Sequence, residues 1–104
     1  MKILLLDNLR SMQNVGAIFR NCDGAGFEKI YLCGYTPTPP RNEISKTALS
    51  AQNTIDWEYY RDSQEVISRL KRENYKIYAV ELHDHAMDYK MLYKNTPENI
   101  CFVL

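Results

Sequence analysis

Asn14 and Arg20 are the two side chains of this chain that best suit a binding or catalytic role, and they stand six residues apart. A guanidinium can hold a phosphate through two parallel hydrogen bonds, because its donors form a rigid fork. Asn21 adds a second amide, and Ala17 and Gly24 are small. Together these residues make a surface that a bulky polyanion could approach closely.

A helix must present these side chains, and the spacing of the apolar residues predicts one. They fall at i, i+3, i+4 and i+7, the pattern of one helix face: Val15, Ile18, Phe19 and Cys22. Ser11 or Asn14 can cap its start, since either side chain accepts from unpaired backbone N–H groups. Gly26 suits the left-handed residue after the last turn, and Phe27 can then pack back on Cys22.

An exposed arginine on an amphipathic helix is usually only solvated, and periodicity alone favours that interpretation of Arg20. A family resemblance favours a functional one. Residues Asn14 to Arg20, followed by Cys22 to Phe27, resemble the first motif of the SPOUT RNA methyltransferases, SpoU (TrmH) branch. The similarity extends over essentially the whole chain, through residues 29–34, Thr36-Pro37, Pro40, residues 46–49 and Trp57-Glu58.

The resemblance implies transfer of a methyl group from S-adenosylmethionine to a ribose 2′-hydroxyl of tRNA or rRNA, with Asn14 and Arg20 in the catalytic site. It also implies a homodimer. The family's second motif, of the Gly-Asn-Glu type, and its Ser/Asn-rich third motif form a knot that holds the cofactor, and neither occurs in this sequence. We therefore expect an incomplete SPOUT (α/β knot) domain, inactive by itself. The alternative is a non-catalytic RNA- or protein-binding remnant of the same fold.

Physical chemistry narrows the role that the resemblance implies for Arg20, which is either general base or phosphate clamp. A guanidinium keeps its proton above a pH of about 12, so it is a base only when strongly perturbed. Fixing a phosphate and stabilising charge on the attacking oxygen needs no such perturbation. We therefore favour the electrostatic role for Arg20, with Asn14 orienting the guanidinium and the ribose.

Other site residues follow from weaker signals. Arg10 and Lys46 are predicted to bind RNA with Asn14 and Arg20, and the backbone of Val80, Glu81 and Leu82 to contact the cofactor, as in some relatives. Near Lys46 the family pattern Lys-Thr-Ala-Leu-Gly-Ala-Glu is altered, with Ser50 for Gly and Gln52 for Glu. That segment can equally be an ordinary helix start capped by Ser45. No metal site is expected, because spacing places no third ligand beside His83-Asp84-His85.

Composition limits the remaining choices. Thirteen basic and thirteen acidic residues cancel, so RNA affinity must come from local clusters, such as Arg10 with Arg20 or Arg69 with Lys71 and Arg72. The three cysteines are odd in number, widely spaced and set among apolar residues, which indicates buried, reduced thiols. With no signal peptide or membrane-length apolar run, a cytoplasmic protein with no membrane partner is expected.

The remaining pattern alternates strands and helices, which predicts one domain over residues 1–104, an α/β fold with a Rossmann-like parallel sheet and flanking helices. Strands are predicted at residues 3–6, 29–33, 54–57, 77–82 and 100–104, with 77–82 central. A loop should cover 35–43, short helical turns 45–52 and the region around 88–92, and a helix from a capping box at Asp62 and Glu65 to Asn74, exposing Arg69.

The final strand, residues 101–104, has no following turn or helix in the sequence. Buried parallel strands need cover on both faces, and open α/β sheets bind ligands beyond the strands' carboxyl ends. We therefore expect this chain to be part of a longer protein.

Overall fold

The structure, a computed structural model, describes residues 1–80 and 99–104. Within them the order of elements is β1 (Lys2–Asp7), α1 (Met12–Gly24), β2 (Lys29–Cys33), α2 (Asn42–Ala48), a short 3₁₀ turn (Ala51–Asn53), β3 (Asp56–Tyr60), α3 (Ser63–Arg72), β4 (Lys76–Ala79) and β5 (Ile100–Val103). The predicted helical turn around residues 88–92 lies outside the described residues.

The five described strands form one sheet in the order β3-β2-β1-β5-β4, and every neighbouring pair is parallel. This confirms the predicted α/β class. The first three strands proceed outward from β1 in one direction, whereas β4 and β5 lie on its other side. The order therefore reverses beside β1, and such a switch point opens a crevice at the carboxyl ends of the strands.

β1 is the centre of the sheet because its side chains are apolar on both faces. Residues 3–6 are at most 2% exposed. Leu4 and Leu6 pack in the core cluster that contains the buried faces of α1 and α2. Ile3 and Leu5 point the opposite way, into the cluster that contains Val66 of α3. The continuous apolar run is thus covered on both sides, as a buried parallel strand requires.

α1 begins and ends as its sequence predicts. Ser11, rather than Asn14, provides the cap: its Oγ accepts from the Asn14 N–H at 3.2 Å. Gly26 follows the helix with a φ of 77°. The Phe27 N–H then donates to the Cys22 carbonyl at 2.9 Å, which returns the chain toward the core.

The predicted central position of residues 77–82 is wrong. β4 spans Lys76–Ala79 and pairs only with β5 among the described strands, and Tyr78 is 45% exposed. The reason is topological. The connection through α3 runs from β3 at one edge of the described sheet to β4 at the opposite edge, and β5 then inserts between β4 and β1. A short apolar run does not by itself distinguish a central strand from an edge strand, because strand order depends on distant parts of the chain.

The segment after β2 also differs from its prediction. Regular structure begins at Asn42, so Arg41 occupies the cap position without a side-chain cap bond, and Ser45 lies inside the helix. α2 ends where Leu49 and Ser50 adopt left-handed φ angles of 51° and 74°. The third strand follows at Asp56–Tyr60, later than the predicted 54–57.

Arg69 on α3 was predicted to be exposed to water, but it is half-buried. Its guanidinium donates to the hydroxyl oxygens of Tyr31 at 2.8 Å and Tyr60 at 3.1 Å, and lies over both rings. The cap of α3 is Asp62, as predicted, although it accepts from the Gln64 N–H at 3.0 Å rather than from Glu65.

All three cysteines are free and buried, as predicted. Burial raises the pKa of Cys22 and of Cys101 to about 12. Burial, helped by the charges of Asp7 and Asp62, raises the pKa of Cys33 to about 11. The thiols are therefore protonated at neutral pH and behave as small apolar side chains.

α1 and α2 approach each other closely at Gly16, and this contact positions the first turn of α1. A Cβ at Gly16 would overlap the Thr47 hydroxyl oxygen and the Ile44 carbonyl oxygen. The Thr47 hydroxyl in turn donates to the Gln13 carbonyl at 3.0 Å. Glycine is thus required at position 16 by the close approach of α2. Its backbone conformation is helical, so conformation alone would allow any residue there.

Replacing Gly16 should therefore destabilise the chain. We expect Gly16→Ala to lower the free energy of unfolding by about 1–3 kcal/mol, because the added methyl group pushes α2 away. Gly24→Ala, in the same helix, is the matched control, since a Cβ at Gly24 meets nothing within 4 Å. It should be neutral or slightly stabilising in urea unfolding followed by circular dichroism. Equal losses in both variants would contradict the packing role of Gly16.

Ser50 should be more stable as glycine. Left-handed backbone costs a non-glycine residue about 1 kcal/mol, so Ser50→Gly should raise the free energy of unfolding by roughly that amount. Ser68→Gly, at an exposed position inside α3, should instead lower it by about 0.5 kcal/mol. Thermal unfolding of both variants distinguishes the two effects, and a loss of stability in Ser50→Gly would show that the serine side chain stabilises this turn.

Candidate functional site

The surface of α1 carries both predicted catalytic residues. Asn14 and Arg20 are exposed, and Ala17, three residues from each, is half-buried between them. Asn14 lies in the first turn, close to the carboxyl edge of the sheet, since α1 follows the end of β1. At 1.5 Å per residue, Arg20 lies about 9 Å further along the helix axis. Two exposed side chains at this spacing can both contact one extended ligand.

The side chains of Asn14 and Arg20 are both available to a ligand. Among the described residues, no hydrogen bond or ion pair involves the Asn14 amide or the Arg20 guanidinium. Burial of Arg20 against a carboxylate would have excluded a ligand-binding role, and the structure places it outside instead. The guanidinium keeps all its donors for a ligand, while its catalytic role stays a prediction.

The position of Asn14 is set by backbone contacts that leave its side chain exposed. Its N–H is held by Ser11, and the preceding carbonyl, of Gln13, accepts from Thr47 on α2. Gly16, two residues after Asn14, brings α2 this close. Both Gly16 and Thr47 lie in segments that resemble the family motifs. Their contact with each other follows only from the packing of α1 against α2.

The same layer contains Lys46, which is exposed on α2 as an RNA-binding residue must be. The altered residues nearby have identifiable contacts. Ser50 occupies a left-handed turn, which explains the glycine of the family pattern by conformation. The Gln52 Nε2 donates to the Ser45 hydroxyl oxygen at 3.2 Å, and its Oε1 is buried without a partner in the described part of the chain.

A cleft of about 410 Å³ opens at the carboxyl ends of β1, β2 and β3. Arg10, a predicted RNA-binding residue, lines it from the loop before α1, and its guanidinium lies 5.0 Å from the centre of the Tyr35 ring. Arg41 and Tyr59 line the cleft from α2's start and from β3. Tyr35, Arg41 and Tyr59 were not among the predicted site residues, although Tyr35 follows β2 closely and Tyr59 lies near the end of β3.

The predicted basic clusters are not formed as pairs. Arg10 belongs to the cleft, whereas Arg20 lies about 12 Å along the axis of α1 from Met12, at 1.5 Å per residue. Arg69 is engaged by two tyrosines, which leaves Lys71 and Arg72 as the exposed cations near the end of α3. Besides these two cations, positive charge is available to an anionic ligand at Arg20 on α1 and at Arg10 and Arg41 in the cleft.

Val80 is the one predicted cofactor residue that the structure describes. It is half-buried against the same core cluster as Leu104, and its N–H donates to the Val103 carbonyl at 2.8 Å. Val80 and Leu104 thus follow the neighbouring ends of β4 and β5. Glu81, Leu82 and the His83-Asp84-His85 segment lie outside the described residues.

Residues 1–80 and 99–104 form neither a metal-ligand cluster nor a membrane-spanning helix. No group of three His, Cys, Asp or Glu side chains in these ranges could hold a metal ion. No helix in the same ranges is long and apolar enough to cross a membrane.

Known proteins resemble this chain in sequence and in fold. The tRNA (guanosine(18)-2′-O)-methyltransferase of Thermus thermophilus is 24% identical over 99 residues, which are 95% of this chain and 50% of that enzyme. This chain therefore spans about half the length of the curated relatives it matches. The AdoMet-bound rRNA methyltransferase from Sinorhizobium meliloti superposes with a TM-score of 0.74 at 22% identity, covering 98% of this chain and 38% of that one.

A third similar protein is the TrmH/SpoU tRNA modifying enzyme of A. aeolicus, with a TM-score of 0.74, 18% identity, and coverage of 99% of this chain and 51% of the other. The family model described as SpoU rRNA Methylase matches residues 1–104. A parallel sheet with the motif residues exposed on its first helix agrees with that match, and the chain belongs to the SpoU methylase family.

Proposed function

We propose that this chain supplies the RNA-binding part of an S-adenosylmethionine-dependent RNA 2′-O-ribose methyltransferase that acts on tRNA or rRNA. The observation that carries the proposal is the exposed, unengaged guanidinium of Arg20 on α1, the helix that also exposes Asn14. Membership of the SpoU family supports the RNA-methylating activity. The homodimer and the cytoplasmic location expected from the sequence belong to the same proposal.

Arg20 acts here as an electrostatic clamp. Two parallel N–H donors hold a backbone phosphate of the RNA, and the fixed positive charge stabilises the negative charge that develops on the 2′-oxygen as its proton passes to solvent water. The guanidinium itself stays protonated throughout. Asn14, displaced by about 9 Å along the helix at 1.5 Å per residue, orients the neighbouring ribose. Both side chains sit on a rigid helix, so binding of RNA costs side-chain freedom but requires no ordering of the backbone.

The described residues also fit one wall of a cofactor site. Val80 and Leu104 present half-buried apolar surface after the ends of β4 and β5, beside the switch point where open sheets bind nucleotides. These two residues would help to hold S-adenosylmethionine. When bound, that cofactor supplies the methyl group to the ribose oxygen.

Arg20→Lys should reduce methyl transfer by about tenfold or more, because lysine keeps the charge but lacks the two-pronged donor geometry. The assay uses the complete gene product that contains residues 1–104, radiolabelled S-adenosylmethionine and unmodified tRNA and rRNA. Arg72→Lys, at an exposed arginine on the opposite face of the sheet, is the control and should match the parental rate.

The outcomes of this assay separate the alternatives. If Arg20→Lys transfers methyl groups at the parental rate, Arg20 has no part in catalysis. If the parental gene product binds RNA and transfers no methyl group to any RNA, the non-catalytic RNA-binding interpretation replaces the proposed one.

Residues 1–104 alone should bind S-adenosylmethionine only at millimolar concentration or not at all, because neither knot motif occurs in this sequence. Isothermal titration calorimetry measures this directly, with adenosine as the control ligand. Affinity in the micromolar range would contradict the assignment of the cofactor pocket to those motifs.

A further inference from the structure

The cleft at the carboxyl ends of β1, β2 and β3 has a composition that the proposed catalytic residues do not explain. Among residues 1–80 and 99–104, its lining contains two arginines and two tyrosines, and no acidic side chain: Arg10, Met12, Gly34, Tyr35, Thr36, Pro37, Thr38, Arg41 and Tyr59. A volume of about 410 Å³ is within the usual range for a small organic ligand. Two uncompensated cations in one concave surface favour an anionic ligand.

The aromatic side chains of this cleft are unusually accessible. Tyr35 is 57% exposed and Tyr59 is 46% exposed, while most apolar residues of β1 and β2 are fully buried. Exposed rings offer stacking surface that every nucleobase can use. One face of Tyr35 is already covered by the Arg10 guanidinium at 5.0 Å, an arrangement that fixes both groups.

The cleft is held in shape before any ligand arrives. The Thr36 hydroxyl, 3% exposed as a residue, donates to the Leu6 carbonyl at 3.2 Å and accepts from the Leu9 N–H at 3.0 Å. The Asn8 Oδ1 accepts from the Tyr35 N–H at 3.0 Å. These bonds join the loop that carries Tyr35 to the loop that carries Arg10.

Tyr59 is fixed to the same loop from the other side. Its hydroxyl donates to the Gly34 carbonyl at 2.6 Å. Gly34 has a φ of 65°, and a Cβ there would overlap Asn8 Oδ1, so only glycine allows the two loops to meet this closely. The two rings and the Arg10 cation, held in advance, lower the entropy cost of binding.

We propose that this cleft binds one unstacked nucleotide of the RNA substrate, with the base stacked on the tyrosine rings and a backbone phosphate on Arg41. This subsite lies apart from the Arg20 clamp and rests on the proposed function only for the identity of the polymer. Arg41 is exposed and, within the described residues, has no ion pair. Arg10 supports the stacking ring and adds positive charge.

The stacking step is tested with fluorescently labelled single-stranded oligoribonucleotides, one of adenosine and one abasic oligomer of the same length. The parental chain should bind the adenosine oligomer about fivefold or more tightly than the abasic one, the effect of stacking one base. Tyr35→Leu should reduce this ratio toward one. Tyr78→Leu, at a similarly exposed tyrosine on β4, should keep it.

The phosphate step is tested with the same oligomer at several salt concentrations. Arg41→Gln should weaken binding and reduce the slope of log Kd against log salt by about one, because one phosphate contact is lost. Arg72→Gln should leave affinity and slope at their parental values. Circular dichroism of each variant shows that it is folded, since all four side chains are at least partly exposed.

The results distinguish this proposal from the previous one. An unchanged base preference in Tyr35→Leu, or an equal loss in Tyr78→Leu, overturns the nucleotide subsite while leaving the role of Arg20 intact. Loss of base preference in Tyr35→Leu, combined with no methyl transfer by the parental gene product, supports the subsite and overturns the proposed methyltransferase.

Discussion

The close contact between α1 and α2 at Gly16 is the constraint on which the candidate site depends. Without a side chain at this position, Thr47 reaches the Gln13 carbonyl and fixes the first turn of α1 against its neighbour. That turn presents Asn14, and the same rigid helix presents Arg20. Packing on one side of α1 therefore determines what its other side can hold, since a helix cannot rotate one face independently of the other.

The architecture places two distinct kinds of surface around one sheet. The exposed side of α1 offers polar groups among small residues, suited to a wide, charged ligand. The carboxyl edge offers a narrow cleft with aromatic walls and positive charge. Long RNA could contact both, because the cleft lies where α1 begins. A chain with no net charge can bind a polyanion in this way, since the local arrangement of cations decides the field near the surface.

Local spacing was enough to predict the elements near the site, and tertiary contacts explain what it missed. The apolar period of α1 and the left-handed Gly26 depend on neighbouring residues only. The edge position of β4 depends on how the chain crosses the sheet. Arg69 looked exposed because the two tyrosines that hold it come from different strands. The cleft was missed for the same reason, as Arg41 and Tyr59 meet only after β2 and β3 pair.

Thr36 joins two surfaces that would otherwise be independent. Its hydroxyl bridges the end of β1 and the start of the loop leading to α1, while the next residue toward β2 is Tyr35. An occupant of the cleft would restrain this bridge, and with it the entry to the helix that carries Asn14. By reciprocity, a ligand held on the helix would tighten the cleft by the same coupling free energy. The buried Thr36 hydroxyl would thus make binding in the cleft and binding on α1 cooperative.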